Sequence, residues 1–362
     1  MINQVAAAFD RKDYREAARL VKLVLKESPQ NPWAHLYAAR LHEVTGKLEK
    51  AETIYRQLLR DTTNPKIVTQ ARQGLQNIEK TRQEKRREDI AKAKADPSDT
   101  ELGVLILEPV TSEAKQQAAQ NFAQIMNIDP YSARLKLQSR GWRLLRTGAI
   151  GELRFYGQQL LNAQIPCFWI KLADIEKINI FRVSYFQSIY PHPTIVCNNQ
   201  QGQLGSLTFN WREVSQLVQG QLPIFEEVVD LDFRKRLQRK VQTQDYAQFC
   251  DLHLPERNCI LRLWDSNYQF QQGITFVPDP EQATTRINWN GLLDFLSHQL
   301  PQAKVWSDFT AFAETVLDHT ELLNRIPSHI SLFRREATHW DPAFQLYSSL
   351  VFLKHLPTTT TG

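Results

Sequence analysis

Asp251 and His253 are the residues whose types and spacing could carry out acid–base chemistry. They lie two positions apart in the segment DLHLP, so in a strand both side chains point to the same face. A carboxylate beside an imidazole can act as a general acid–base pair, although an isolated pair on one strand is more often structural. The chain contains no P-loop and no GxGxxG, GxSxG or HExxH motif. The sequence therefore predicts that the protein is not an enzyme.

The acidic residues and the cysteines offer little for binding a metal or a cofactor. Glu226, Glu227 and Asp230 could contribute to a cation site, but no further ligand group lies near them in the sequence. The four cysteines form no CxxC pair and have no metal-binding spacing with histidine. We expect no metal, no cofactor and no disulfide, which fits a reducing, cytoplasmic compartment. No apolar run approaches about 18 residues, so no transmembrane segment is predicted.

A basic segment, Arg234–Lys240, could contact an anionic partner. Its five cations stand within seven residues and no acidic residue lies among them: Arg234, Lys235, Arg236, Arg239 and Lys240. Phosphate binding by such a cluster weakens steeply with salt. The alternative is that the segment neutralises Glu226, Glu227 and Asp230, which lie only a few residues upstream. We favour this internal pairing, and nucleic acid is the less favoured partner.

The N-terminal quarter of the chain contains a repeat with a period of 34 residues. Ala17 and Ala51 are separated by this distance, as are Lys12 and Gly46. Small alanines allow two helices to cross closely, and Gly46 permits a tight turn because glycine tolerates a positive φ. Apolar residues in the first unit follow helical spacing: Ala17, Leu20, Val21 and Val24. The pattern predicts α-helical hairpins.

These hairpins resemble tetratricopeptide repeats over about residues 1–65. The matching positions are Ala17, Pro29, Gly46, Ala51 and Tyr55. The resemblance implies a protein-interaction module in which the first helix of each unit lines a groove. In the second unit that helix carries the candidate groove residues at i, i+3 and i+7, which are His35, Ala38 and His42. A protein or peptide partner is therefore predicted for this region.

The third unit of the repeat begins but is not completed. Continuing the period places Lys80 at the turn and Lys85 at the small-residue position, and lysine cannot fill a close helix crossing. We therefore predict one long capping helix over residues 66–93, within a helical region 1–95 that is followed by a linker, 96–101. Residues 1–95 hold 20 Lys and Arg against 12 Asp and Glu, so the basic excess of the chain lies there.

Residues 102–176 have the pattern of a small β-α-α-β-α-β module. The unbroken apolar run VLILEPV predicts a buried strand, and Asp129 followed by Pro130 predicts the start of a helix. Ser112 is a second candidate N-cap. Element order and length resemble the C-terminal domain of the bacterial ribosomal stalk protein, with Ala133 and Arg134 at matching positions. The resemblance implies a docking function.

Residues 177–362 are predicted to form an α+β domain. Segments rich in β-branched and aromatic residues predict a mostly antiparallel sheet of five to seven strands within 178–277, with a short helix at Trp211–Gly220. Helical patterns then occupy 288–356, with Ser307 and Asp341 as candidate N-caps. The fold class is therefore α+β and multi-domain.

The sequence favours a non-catalytic scaffold, or an assembly or regulatory adaptor, that binds a protein through the repeat groove. The alternative is an RNA- or ribosome-associated factor, which the stalk-like module and the basic clusters would support. The domain order and the many glutamines are also similar to those of multi-domain tetratricopeptide proteins of cyanobacteria.

Overall fold

The computed structural model describes residues 1–231, 237–334 and 338–356, and between 227 and 242 it describes backbone only. The chain divides into two compact units, residues 1–92 and residues 93–362. The predicted finer division, with a linker at 96–101 and separate modules at 102–176 and 177–362, stays a prediction.

The N-terminal unit is built from helical hairpins. Its helices are α1 (Ile2–Asp10), α2 (Tyr14–Glu27), α3 (Pro32–Val44), α4 (Leu48–Asp61) and α5 (Pro65–Ala93). The two alanines of the repeat, Ala17 and Ala51, are completely buried, as the close helix crossings require. The side chains of Asp13 and Asn31 accept hydrogen bonds from the first backbone N–H groups of α2 and α3, so each helix begins at a polar cap.

The long helix of the incomplete third unit and the tight turns agree with the sequence analysis. α5 is continuous for 29 residues over the range where one long helix is predicted, and its role as a cap of the array stays a prediction. Gly46 has φ +75°, and Lys12, which lies at the same position of the first hairpin, has φ +60°. Both turns therefore use the left-handed conformation, although only the second has the residue type that adopts it readily.

The next part of the chain is a three-stranded antiparallel sheet covered by helices. The elements are β1 (Leu102–Leu107), α6 (Lys115–Met126), α7 (Pro130–Lys136), β2 (Arg143–Ala149), α8 (Ile150–Asn162) and β3 (Cys167–Lys171). The strand order is β2–β1–β3, and the predicted β-α-α-β-α-β sequence of elements is confirmed. Asp129 caps α7 through the backbone N–H of Ser132, with Pro130 at the first helical position.

A larger sheet of seven strands lies in the described part of the C-terminal region. Its strands are β4 (Asn179–Ser188), β5 (Thr194–Asn198), β6 (Leu204–Thr208), β7 (Gln216–Leu231), β8 (Leu237–Leu254), β9 (Cys259–Trp264) and β10 (Lys304–Trp306). The order is β10–β7–β8–β9–β4–β5–β6. The β10–β7 and β4–β9 pairs are parallel and the other pairs are antiparallel, so the prediction of a mostly antiparallel sheet is confirmed.

Helices cover both faces of this sheet. The helices are α9 (Leu172–Glu176), α10 (Thr285–Gln299), α11 (Phe309–Val316), α12 (Thr320–Leu323) and α13 (Trp340–Lys354). One face packs on α10 through Leu217, Leu252 and Trp289. The other face packs on α11 and α13, and this core also includes Val104 and Trp142 from the three-stranded sheet and its surroundings. α13 is buried almost all round, which is typical of a central helix.

Several local predictions in this region are wrong. Trp211–Glu213 forms only a single 3-10 turn and β7 begins at Gln216, so there is no helix over Trp211–Gly220. Pairing of β7 with β8, in which Gln216 lies opposite His253, overrides the local helical signal there. The strands β4–β9 end at Trp264, and β10 lies far beyond the predicted limit of the sheet at 277.

The three other candidate N-caps are also wrong. α6 begins after Ala114 and α11 after Asp308, so neither Ser112 nor Ser307 is the N-cap. Asp341 lies inside the first turn of α13, where its carboxylate accepts from the Arg334 guanidinium. The Asp341 side chain is therefore held by a residue outside the helix and does not cap the helix. Within the described ranges, no helix combines the length and the apolar character needed to cross a membrane.

Candidate functional site

The three residues predicted to line the groove lie on α3 and are half-buried. His35 donates from Nε2 to the carbonyl oxygen of Pro29 at 2.8 Å, in the connection between α2 and α3. Burial, together with the positive charges of Lys47 and Lys50 near the start of α4, lowers the pKa of His42. His35, Ala38 and His42, called the histidine stripe below, share one face of α3, and their role in binding stays a prediction.

A second face of α3 carries larger side chains that the sequence analysis did not single out. Trp33, Tyr37, Arg40 and Val44 recur at i, i+4, i+7 and i+11, which is a continuous helical stripe. We call these four residues the aromatic stripe. Ala38 and Arg40 are about 200° apart around the helix, so the aromatic and histidine stripes face different directions.

The aromatic stripe joins α3 to α1. The ring centroids of Phe9 and Tyr37 are 5.2 Å apart, and the Arg40 guanidinium lies 5.1 Å from the centroid of Phe9 and 5.8 Å from that of Tyr37. Arg40 itself is exposed, and Val44 is 51% exposed. The spacing of Trp33, Tyr37 and Arg40 was visible in the sequence, but the contact with Phe9 required the helix packing.

The other side of α3 is held by α4 and α5. Tyr55 is buried and donates a hydrogen bond of 2.7 Å to Glu43. Burial and the neighbouring Glu43 carboxylate raise the pKa of Tyr55. The ring of Tyr55 occupies space that a side chain at Gly74 would need, because a Cβ there would lie 2.3 Å from Tyr55 Cζ. These contacts stabilise the position of α3 in the hairpin array.

The basic segment is only partly within the described residues. Arg234, Lys235 and Arg236 lie outside them. Arg239 and Lys240 belong to β8 rather than to a loop, and their backbones pair with Val229 and Val228. In this register the Lys240–Val228 pair lies between the pairs that contain Glu226 and Asp230. The predicted pairing of the basic segment with Glu226, Glu227 and Asp230 stays a prediction, because the structure does not describe the side chains of residues 227–242.

The candidate acid–base pair lies in a buried polar network instead of an open site. Asp251 and His253 are both completely buried. Asp251 accepts two hydrogen bonds from Arg262, at 2.9 and 2.6 Å, and a third from Ser348 at 2.6 Å. Arg262 also donates at 2.8 Å to Gln345. A bidentate arginine–carboxylate pair of this kind is a strong orienting contact.

The hydrogen bonding of Ser348 excludes activation of its hydroxyl by His253. The His253 Nε2 and Ser348 Oγ atoms are 3.0 Å apart, but the hydroxyl hydrogen of Ser348 is donated to Asp251. His253 therefore donates from Nε2, and its Nδ1 is buried without a partner among the described residues. Burial and the charges of Arg262 and His355 lower the pKa of His253 to about 3, so the imidazole is neutral at neutral pH.

The cysteines and acidic groups do not form a described metal or nucleophile site. Cys167, Cys197, Cys250 and Cys259 are free and buried. Burial raises the pKa of Cys167 to about 12 and that of Cys197 to about 11, which keeps the thiols protonated and poorly nucleophilic. Among the side chains that the structure describes, no group of three or more His, Cys, Asp and Glu could hold a metal ion.

The repeat unit is similar to a known family. The tetratricopeptide repeat family model matches residues 8–84, a range that includes α2, α3 and α4 completely. No curated protein and no solved structure gives a significant match to the chain. The match supports tetratricopeptide-type hairpins, a kind of repeat that generally mediates protein–protein interaction. The stalk-like and cyanobacterial resemblances stay predictions.

Proposed function

We propose that the protein is a non-catalytic scaffold or adaptor that binds a segment of another protein on α3. The observation that carries the proposal is the match of residues 8–84 to tetratricopeptide repeats, on an array of packed hairpins. Since such repeats bury their faces by stacking on one another, the remaining accessible helix face is available to a partner.

The aromatic stripe is the face of α3 whose chemistry best supports binding. Residues that dominate binding energies at protein interfaces are most often Trp, Tyr and Arg, and the stripe presents the exposed Arg40 and the half-buried Trp33, while Tyr37 is buried against Phe9. Its aromatic rings are already held by Phe9 and by neighbouring helices, so little side-chain freedom would be lost on binding. The histidine stripe is the alternative surface.

The charge of the region favours a partner segment that carries carboxylates beside apolar side chains. Residues 1–95 hold 20 Lys and Arg against 12 Asp and Glu, and Arg40 is exposed within the aromatic stripe. Opposite charges around an interface steer encounter and fix orientation more than they add affinity. The apolar contacts with the accessible parts of Trp33 and Val44 would supply most of the binding energy.

A tagged full-length chain, captured with its partners before and after nuclease treatment, tests the proposal. Arg40→Ala combined with Val44→Ser is expected to reduce the recovery of a protein partner by about tenfold, equivalent to about 1.4 kcal/mol. The matched control is His35→Ala with His42→Ala on the histidine stripe, which should retain the partner. Loss of binding in the histidine variant alone would transfer the site to that stripe.

The alternative function is an RNA- or ribosome-associated factor, and the same experiment separates it. A nucleic-acid-bridged complex would disappear after nuclease treatment and would be unaffected by substitutions on α3. Partners that are lost only with nuclease would overturn the scaffold proposal.

A further inference from the structure

The strand β6 forms one end of the seven-stranded sheet, and its outer edge is uncovered. β6 pairs with β5 on one side and has no neighbouring strand on the other side within the described part of the chain. Four of its five residues are exposed, and Leu207 is half-buried. Leu204 is a large apolar side chain with 69% of its surface exposed. The edge is therefore accessible to another molecule along the strand.

Every second residue of β6 directs its backbone N–H and C=O groups away from β5. Phe209 donates from its N–H to the carbonyl oxygen of Pro193 at 3.0 Å, which fixes the pattern, because these directions alternate along an antiparallel strand. The residues that point outward are Leu204, Ser206 and Thr208. Among the described residues, only Arg257 forms a hydrogen bond with these outward groups, at the carbonyl oxygen of Thr208. The remaining donors and acceptors match those of a further β-strand.

β6 has none of the features that usually protect an edge strand from pairing. Natural edge strands are shielded by a charged side chain, a proline, a β-bulge or a covering segment. The segment Leu204–Thr208 contains no charge and no proline, and its register with β5 has no irregularity. The strand at the other end of the sheet, β10, has only three residues and carries Lys304. The contrast favours strand addition at β6.

The sequence of β6 is complementary to itself in an antiparallel register centred on Ser206. In that register Gly205 lies opposite Leu207 of a second copy. A Cβ at Gly205 would have no atom within 4 Å, so Leu207 of the second copy finds open space there. The exposed Leu204 lies opposite Thr208 of the second copy. At the centre the two Ser206 hydroxyls face each other, and hydroxyl side chains form favourable hydrogen bonds across strands.

The charges around β6 are compatible with this symmetric pairing. A two-fold axis on a charged strand would bring each charge opposite its own copy, which is destabilising. Neither β6 nor its neighbour β5 contains a charged residue. Near Thr208, the Arg257 guanidinium donates to both carboxylate oxygens of Glu213, so the charges at that end are balanced. Two copies can therefore approach without like-charge repulsion along the strand.

We propose that β6 pairs with β6 of a second copy of this chain, antiparallel and about a two-fold axis at Ser206, to form a homodimer. The same surface of both copies then contributes to the interface, and the two sheets become continuous through the backbone hydrogen bonds of the two edges. An interface of one short strand from each copy is small, so association is weak and depends on concentration. The proposal uses no residue of α3 and does not depend on the proposed function.

Sedimentation velocity of the full-length protein over a range of concentrations tests the proposal. A reversible dimer is expected, with a dissociation constant in the micromolar range or weaker. Ser206→Lys should weaken association by about tenfold or more, because the two like charges would lie directly opposite each other. Ser206→Asp should weaken it for the same reason. An equimolar mixture of the two variants should restore the dimer, since unlike charges then face each other across the axis.

Two control variants separate the β6 edge from other surfaces. Ser206→Thr keeps the hydroxyl and should associate as the wild type does. Val305→Lys introduces the same charge on β10, where Val305 is 49% exposed, and should leave the dimer intact. Because the Ser206 side chain is exposed, its variants should keep the thermal melt of the monomer.

Three results would overturn the proposal. The first is a wild-type chain that stays monomeric at every concentration, including one whose Ser206→Lys variant loses a different protein, because the edge would then accept a strand from another chain. The second is a dimer that survives Ser206→Lys, since it would use another surface. The third is a mixture of the two charged variants that fails to associate, because the two copies would then not meet at Ser206.

Discussion

The Arg262–Asp251 pair is completely buried. Removing one partner should therefore destabilise the protein strongly, because the other charge would stay buried without its counterion. Asp251→Ala leaves the Arg262 cation without its carboxylate, so we expect the free energy of unfolding to fall by about 3–5 kcal/mol. Chemical denaturation followed by tryptophan fluorescence measures this change. The comparison is Arg140→Ala, which breaks the exposed pair with Asp308 and should cost no more than about 1 kcal/mol. If the two substitutions lower the free energy of unfolding equally, the complete burial of the Arg262–Asp251 pair would be contradicted.

His253 is expected to make stability depend on pH. Its native pKa of about 3 lies below the unfolded value of about 6.5, so the unfolded chain binds more protons in between. The stabilisation is fully present above about pH 6.5 and is lost as the pH falls toward 3.

His253→Gln should therefore flatten the dependence of unfolding free energy on pH, by up to about 1.4 kcal/mol per pH unit within that interval. Denaturant midpoints at several pH values measure the slope. His298→Gln, on the exposed side of α10, is the matched control. The same slope in wild type and His253→Gln would show that His253 is not the titrating group.

The two hairpin turns of the repeat differ in one residue type and provide a matched pair. Lys12 and Gly46 both have positive φ, a conformation that costs an ordinary L-residue about 1–2 kcal/mol. Lys12→Gly should stabilise residues 1–92 and Gly46→Lys should destabilise them, each by about 1 kcal/mol. Hydrogen exchange over these residues measures both. Destabilisation by Lys12→Gly would contradict the left-handed turn at that position.

At the level of elements, the local patterns predicted the long helices well and the exact starts of helices poorly. Lys80 and Lys85 correctly indicated that a third hairpin could not form, because the misfit is a local steric property. Asn210 and Glu213 form a capping box, which is a real helical signal, but the pairing of β7 with β8 limits the helix to one turn. Asp341 resembles an N-cap in sequence, but it lies inside the helix and its carboxylate accepts from Arg334, seven residues upstream.

The candidate sites show the same limit. The spacing of the aromatic stripe on α3 is local and could have been found from the sequence. The buried network joins Asp251 to Ser348, which is 97 residues away, so the sequence could identify the Asp251–His253 pair but not its hydrogen bonding.

For the whole molecule, the basic segment distinguishes the two candidate functions. Replacing Arg234, Lys235, Arg236, Arg239 and Lys240 with Gln should lower thermal stability if these cations neutralise the neighbouring acidic strand. Neither form should then retain nucleic acid. Filter binding at several salt concentrations and a thermal melt measure both effects. If the wild type instead binds RNA, each lost phosphate contact should reduce the salt slope by about 0.7–0.9, and the scaffold interpretation would fail.

The parallel pairing of β4 with β9 imposes an order of events during synthesis. Asn179 pairs with Cys259, so β4 has to wait for 80 further residues to leave the ribosome. At about 5–20 residues per second, this delay is roughly 4–16 s. The helices of residues 1–92 need only neighbours that have already emerged, whereas Val183 and Phe186 on β4 are completely buried in the finished sheet. Val183 and Phe186 also pack in the core that includes Leu292 and Leu296 of α10, so their burial is completed only after a still later part of the chain has been synthesised.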